Sequence, residues 1–148
     1  MVTLHTSFGS FKGIHGEDVV QYLGIKYAKV KDQLSAPDMM ICYEGVVDAT
    51  EYGPRAPAAD ASLFEQQVLI QQVIDDAPSQ AMSGMECLNL NITVPSPKTE
   101  ERKALPVMVF IHGGGYIMGS NSAPYFKPSR FVALSVELGT PVIVVSIK

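Results

Sequence analysis

Two apolar runs bracket the last third of the chain. Residues 105–111 read Leu-Pro-Val-Met-Val-Phe-Ile, and residues 141–147 read Pro-Val-Ile-Val-Val-Ser-Ile. A segment that is apolar at nearly every position has no face to offer water, so each run reads as a strand covered on both faces. Between them, Lys127-Pro128-Ser129-Arg130 predicts a helix start, with proline at an early position where its missing N–H costs nothing. The helix is expected to run to Glu137, and Gly139 supplies its stop. Strand, loop, helix, strand is a βαβ crossover, which lays the two strands side by side and parallel. The fold class is therefore α/β.

The first part of the chain reads differently. Residues 2–6 alternate as a first strand, Gly9 and Gly13 loosen the connection after it, residues 15–18 form a turn, and residues 19–25 are the next extended piece. Antiparallel strands thus lead into a mostly parallel sheet. His5 and His15 have no partners at informative spacing and are assigned surface or turn roles. Residues 31–60 are irregular, broken by Pro37, Pro54 and Pro57. Residues 61–76 suggest a helix, because Leu63, Phe64, Val68, Ile70 and Ile74 recur three to four apart, although Leu69 and Val73 blur the face. That helix suits core packing or a lid. Residues 88–94 alternate apolar and polar with period two, so they read as a half-exposed strand ended by Pro95. A polar loop follows to Ala104.

A chain of 148 residues with 47% hydrophobic content matches one core-forming domain. Its net charge of -4 and pI near 5.3 give no electrostatic footprint for nucleic acid. Lys98, Arg102 and Lys103 sit with Glu100 and Glu101 in what reads as a solvated turn. No stretch approaches the roughly 18 apolar residues of a membrane span, and the N-terminus lacks the charged start and apolar run of a signal peptide. Cys42 and Cys87 are then expected to be free thiols, and the protein cytoplasmic. Asn91-Ile92-Thr93 is a formal glycosylation sequon, but it lies in a strand-like run and matters only after secretion.

The first apolar run ends in His112-Gly113-Gly114-Gly115-Tyr116. In an open α/β sheet, the C-terminal ends of the strands are where ligands bind. Glycines let the backbone turn sharply and bring amide N–H groups close to a substrate. Two such amides aimed at one point stabilise the oxyanion of a tetrahedral acyl intermediate, typically by about 3–4 kcal/mol per donor. A phosphate loop fits less well: Gly114 and Gly119 have its spacing, but Ser120 and Asn121 stand where lysine and a hydroxyl belong. A dinucleotide fingerprint starting at Gly113 fails at Met118. A plain turn needs neither three glycines nor the preceding histidine.

The loop resembles the HGGG loop of the type-B carboxylesterase and cholinesterase-like family. Tyr22-Leu23-Gly24-Ile25-Lys26-Tyr27-Ala28 resembles that family's early "f-x-G-I-P-Y-A" strand, with Lys26 in place of the proline. Asp48-Ala49-Thr50 with Tyr52-Gly53-Pro54 resembles its "DAT-x-y-G-P" segment, and Glu86-Cys87-Leu88-Asn89-Leu90-Asn91 its "S-E-D-C-L-x-L-N" motif. Four motifs in the right order span nearly the whole chain. The resemblance implies the N-terminal portion of an α/β-hydrolase fold, with residues 1–148 an incomplete part of one domain. It implies that Gly114 and Gly115 supply the oxyanion amides, that Gly113 allows their approach, that His112 braces the turn, and that Tyr116 sits near the acyl pocket. Ser120 and Ser122 follow Gly119, but Gly-Ser-Asn-Ser is not a G-x-S-x-G elbow, and both read as loop hydrogen-bonders.

Several positions depart from the family's pattern. No G-x-S-x-G occurs, and the three histidines all have other roles, so nucleophile, acid and base are absent from these residues. The family continues "S-I-N-Y-R" where this sequence has Ser146-Ile147-Lys148, which leads to the expectation of a truncated gene model, a splice product or a cloned fragment. The family's arginine and the glutamate that pairs with it are matched by Gln33 and Met85. Losing both members of a buried pair is far more tolerable than losing one. The family's first disulfide joins the cysteine matched by Cys87 to one just after "Y-G-P"; Arg55 and Ala56 stand there, so that bridge is not available.

The resulting expectation is a carboxylic-ester hydrolase, serine-dependent in its full-length form, acting on a small-molecule ester. No metal or organic cofactor is implied, and no nucleic-acid or membrane partner. The rival is a non-catalytic cholinesterase-like scaffold or an inactive truncated product. Residues 142–147 are further expected to expose an unpaired edge or an uncovered face, and hence to drive self-association.

Overall fold

A computed structural model of the chain describes residues 1–59, 65–72, 74, 80–96 and 104–148. Nine strands are present among them: β1 (Val2–Thr6), β2 (Gly9–His15), β3 (Val19–Lys26), β4 (Ala28–Lys29), β5 (Asp38–Met39), β6 (Val46–Asp48), β7 (Asn89–Pro95), β8 (Val107–Ile111) and β9 (Ile143–Ile147). The α-helix α1 spans Ser129–Glu137, a single 3-10 turn spans Pro124–Phe126, and a π-helical turn spans Glu65–Ile70. Six strands run in the order β1-β2-β3-β7-β9-β8, with β6 added beside β2; β4 and β5 pair separately.

The N-terminal strands are antiparallel, as the alternation predicts, β1 with β2 and β2 with β3; β3 also pairs antiparallel with β7. The expected crossover is present too. β8 and β9 are parallel neighbours, registered from Val107 opposite Ile143 to Ile111 opposite Ile147, with α1 between them in sequence. Gly139, at φ +71°, lies just past the Leu138 cap of α1 and donates its N–H to the Val136 carbonyl.

Four expectations need correction. First, the stretch read as a loose connection around Gly9 and Gly13 is strand β2. Gly9 opens it, and Gly13 is needed for space: a Cβ there would lie 2.6 Å from the Gln21 carbonyl oxygen and 2.7 Å from the Tyr22 ring. Second, the irregular residues 31–60 contain β5 and also β6, a three-residue strand parallel to β2. Third, β7 is not half-exposed. Its polar members Asn89, Asn91 and Thr93 are its most deeply buried residues, because α1 and the segment after the glycine loop cover that face. Fourth, β8 is not buried on both faces: Val107, Val109 and Ile111 are 57%, 58% and 75% exposed. It is an edge strand of the six, as β1 is at the other end, whereas β9, which was expected to expose an unpaired edge or an uncovered face, is paired along both edges.

Of the helix expected over residues 61–76, the described part is helical only at Glu65–Ile70. Residues 61–64, 73, 75 and 76 lie outside the described residues, as does the polar loop at 97–103.

Two apolar clusters flank the sheet. Phe11, Val20, Tyr22, Ile25 and Ala49 form one, with Leu90, Ile92 and Val94 packed against it. Phe11 and Tyr43 meet edge to face there, centroids 5.0 Å apart. Val19, Val132, Ala133 and Val144 form the other and seat α1 on the sheet. Burying a valine as completely as Val132 contributes about 1.5–3 kcal/mol.

Candidate functional site

The glycine loop leaves the C-terminal end of β8 and folds back before the 3-10 turn. Three consecutive residues take left-handed backbone angles: Gly114 at φ +136°, Gly115 at +61° and Tyr116 at +65°. The turn closes on the Gly114 carbonyl, which accepts the N–H groups of Ile117 at 3.2 Å and Met118 at 3.1 Å. Among the described residues, the N–H groups of Gly114 and Gly115 donate to nothing.

The glycines are demanded for different reasons. A Cβ at Gly114 would lie 2.1 Å from the Met118 carbonyl oxygen, and one at Gly119 would lie 2.2 Å from the Gly113 carbonyl oxygen and 2.5 Å from His112 Nδ1. Those two positions are fixed by the loop's own packing. A Cβ on Gly115 would meet open space, but its positive φ favours glycine. Gly113 has neither a positive φ nor a crowding neighbour. Tyr116 is a non-glycine residue in the left-handed region, which costs on the order of 1–2 kcal/mol, and its side chain is fully exposed. Strain of this kind clusters at functional sites.

His112 packs inside the turn, with Nδ1 2.9 Å from the Gly113 carbonyl oxygen. His5 is 2.8 Å from the Ser10 hydroxyl and His15 is 3.1 Å from the Ser96 hydroxyl, both at the surface. None of the three histidines is paired with a serine near the glycine loop.

The segment after the loop is held by a buried polar network that sequence reading did not single out. Asn121 Nδ2 donates to the Asn89 carbonyl oxygen and Oδ1, each at 3.2 Å, and to the Ser146 carbonyl oxygen at 3.3 Å. Asn91 Nδ2 donates back to the Asn121 carbonyl oxygen at 3.1 Å, and Asn91 Oδ1 accepts the Gly24 N–H at 2.8 Å. Asn89 Nδ2 reaches the Pro54 carbonyl oxygen at 2.8 Å. Ser120 and Ser122 bond to each other, and Ser122 donates to Gln80 Oε1. Both serines are buried, as expected of loop hydrogen-bonders. Asn91 is buried, with both its amide nitrogen and its amide oxygen hydrogen-bonded, so it acts structurally here. The available signal was the period-two row of Asn89, Asn91 and Thr93.

The departures from the family pattern also find local explanations. Lys26 forms an ion pair with Glu86, across the strands that carry two of the motifs. The Gln33 amide packs against Gly84, beside Met85, so the two changed positions remain neighbours. Cys42 is an exposed free thiol, and Cys87 is free and half-buried. Among the described residues no helix is long and apolar enough to cross a membrane.

The carboxylesterase family matches residues 1–148. Para-nitrobenzyl esterase of Bacillus subtilis is 32% identical over 131 residues, covering 86% of this chain and 24% of that protein. Lipase 1 of Yarrowia lipolytica is 32% identical, covering 99% of this chain and 28% of that protein. A solved PNB esterase matches with a TM-score of 0.72 at 31% identity, covering 99% of this chain and 27% of its own. A carboxylesterase of Geobacillus stearothermophilus matches with a TM-score of 0.70 at 29% identity, covering 99% and 26%. The chain thus spans 24% to 28% of the length of these two curated relatives, and its mixed sheet is the N-terminal part of an α/β-hydrolase fold. Four ordered motifs, the family match over every residue and the superposition agree: the chain belongs to the carboxylesterase family.

Proposed function

We propose that this chain supplies the oxyanion-hole loop of a carboxylic-ester hydrolase. Gly114 and Gly115 are the donors. The observation that carries this reading is a pair of consecutive amides with no acceptor among the described residues, in a strained turn at the C-terminal end of a parallel strand. Gly113 supports it, since nothing among the described residues crowds a side chain there; one would intrude on something that approaches from outside. His112 braces the turn, and Tyr116 lies at the entrance to the acyl pocket.

The reaction is acyl transfer through a serine ester. A serine Oγ attacks the ester carbon, the carbonyl oxygen becomes an anion held by the two amides, and the alcohol leaves with a proton. Water then releases the acid and regenerates the serine. The nucleophile is not among residues 1–148, which contain no G-x-S-x-G. We read these residues as the N-terminal portion of a single hydrolase domain whose later part carries serine, acid and histidine. The substrate is a small-molecule ester, and no cofactor, nucleic acid or membrane enters the scheme.

Two free cysteines and the missing family bridge support a reducing, cytoplasmic setting. The exposed β8 edge supports self-association of the isolated chain.

The test is hydrolysis of a 4-nitrophenyl ester together with labelling by an organophosphonate. The 148-residue chain should show neither, and a polypeptide continuing into the serine, acid and histidine should show both. Stoichiometric labelling of the chain alone would overturn the assignment. An inert continuation carrying no such residues would favour the non-catalytic scaffold.

A further inference from the structure

We propose that Lys148 is a positioning residue of the glycine loop, its ε-ammonium strapping the loop shut at the point where its two ends meet. The family pattern has asparagine at this position, so the strap is a feature of this chain's own sequence. Its consequence for catalysis rests on the oxyanion reading; its existence does not.

The parallel register delivers the geometry. Ile147 stands opposite Ile111, so the next residues along the two strands, Lys148 and His112, emerge side by side at the end of the sheet where the loop begins. The Lys148 backbone is fixed from two directions. Its N–H donates to the Asn89 carbonyl oxygen at 3.1 Å, and its carbonyl oxygen accepts the Tyr27 hydroxyl. From this anchored base, Nζ donates to the Gly119 carbonyl oxygen at 3.2 Å.

Gly119 is the residue against which the loop closes. The position its Cβ would take is 2.2 Å from the Gly113 carbonyl oxygen and 2.5 Å from His112 Nδ1, so the loop's exit lies directly on its entrance. A donor on the Gly119 carbonyl therefore holds both ends of the turn that presents the Gly114 and Gly115 amides. A hydrogen bond from an ionised donor is roughly twice as strong as a neutral one. The ammonium is half-buried, in an environment that includes Cys87 and Arg55. Asn121, two residues beyond Gly119, ties the same segment to the sheet through a buried network. Lys148 acts on the loop itself, from a half-exposed position.

The experiment uses the isotopically labelled 148-residue chain. Amide exchange is followed by NMR at Ile117 and Met118, whose N–H groups close the turn on Gly114, with Leu138 at the end of α1 as the internal reference. Lys148→Met should speed exchange at Ile117 and Met118 by about tenfold and leave Leu138 unchanged. It should also shift the Gly119 carbonyl 13C resonance. Lys148→Arg, which keeps the charge and the donor, should restore both the protection and the shift. Unchanged loop exchange in Lys148→Met would overturn the proposal, as would an arginine variant that behaves like methionine. Should the methionine variant fail to fold, the arginine and glutamine variants decide: arginine must match the wild type and glutamine must not. No readout involves ester turnover or a bound ligand, so failure of the oxyanion reading would leave this result standing, and the converse holds.

Discussion

Asn121 and Asn89, 32 positions apart in the sequence, meet in the buried interior, where one amide group donates to both the side-chain and the backbone oxygen of its partner at 3.2 Å. This contact joins the segment after the glycine loop to the middle of the sheet. It explains why a strand with three polar residues on one face can be covered on both sides. Each buried polar group on β7 has a partner contributed by the loop, by Gln21 or by the turn at Pro54.

Asn121→Ala should therefore behave as a core mutation. It removes the donor to Asn89 and Ser146 and leaves the buried Asn89 Oδ1 unmatched, which alone costs about 1–3 kcal/mol. A loss of about 2–4 kcal/mol in denaturant unfolding is expected. A loss below about 0.5 kcal/mol, typical of an ordinary surface position, would show that the network contributes little.

Gly13→Ala should destabilise by about 1–3 kcal/mol through overpacking, although residue 13 has an ordinary extended backbone. The new methyl would press on the Gln21 carbonyl and on the Tyr22 ring, both in the middle of the sheet. Thermal unfolding of the variant checks this. An unchanged midpoint would mean that Tyr22 moves aside freely.

Much of this architecture was legible in residue order. The 105–147 stretch predicted its own strand, helix and strand, because apolar runs and the Pro128 and Gly139 signals are local. What local pattern could not supply was which neighbour covers each face. Residues 105–111 are apolar throughout and so suggested burial, yet β8 is the outer strand and nothing among the described residues lies beyond it. Asn89, Asn91 and Thr93 suggested solvent, yet they are buried under Asn121 and α1, partners more than 25 positions away. In the glycine loop the motif singled out Gly113, Gly114 and Gly115. It gave no hint of Lys148, which the parallel register and the bonds to Asn89 and Tyr27 bring to the Gly119 carbonyl.

Two pH dependences are expected, both a rise of stability with pH, one in the alkaline range and one in the acid range. Burial lowers the pKa of Lys148 below the ordinary lysine value; the charge of Cys87 opposes this shift and that of Arg55 adds to it. Between the lowered pKa and the ordinary one, the unfolded chain binds more protons at this site, so stability should rise with pH across that alkaline window. Lys148→Met should abolish the rise. Asp48 behaves in the opposite range: the Thr50 hydroxyl and then Lys12 hold its carboxyl below the usual carboxylate pKa. Its contribution is present above that usual value and is lost as pH falls through the lowered one. Asp48→Asn should flatten the acid side of the stability curve. Midpoints of urea unfolding measured against pH test both rises.

The exposed outer strand has a consequence in solution. Val107, Val109 and Ile111 form an exposed apolar row on one face of a strand with an open edge among the described residues, a template for pairing with another chain. The isolated chain should sediment as oligomers, and Val109→Lys should shift it toward monomer while changing stability by no more than about 0.5 kcal/mol. A monodisperse wild-type monomer would contradict this.

The central claim is that Gly114 and Gly115 present two unpaired amides to a single oxyanion. The most direct measurement is a titration of the 15N-labelled chain with a short alkyl phosphonate monoanion, a stable mimic of the tetrahedral intermediate, followed at the amide resonances. The account predicts that the Gly114 and Gly115 N–H signals move downfield together along one saturable curve, that Gly139 stays still, and that the matching neutral alcohol moves none of them. Phosphonate-independent shifts at both glycines, or slow exchange showing that their N–H groups are already bonded within the chain, would contradict it.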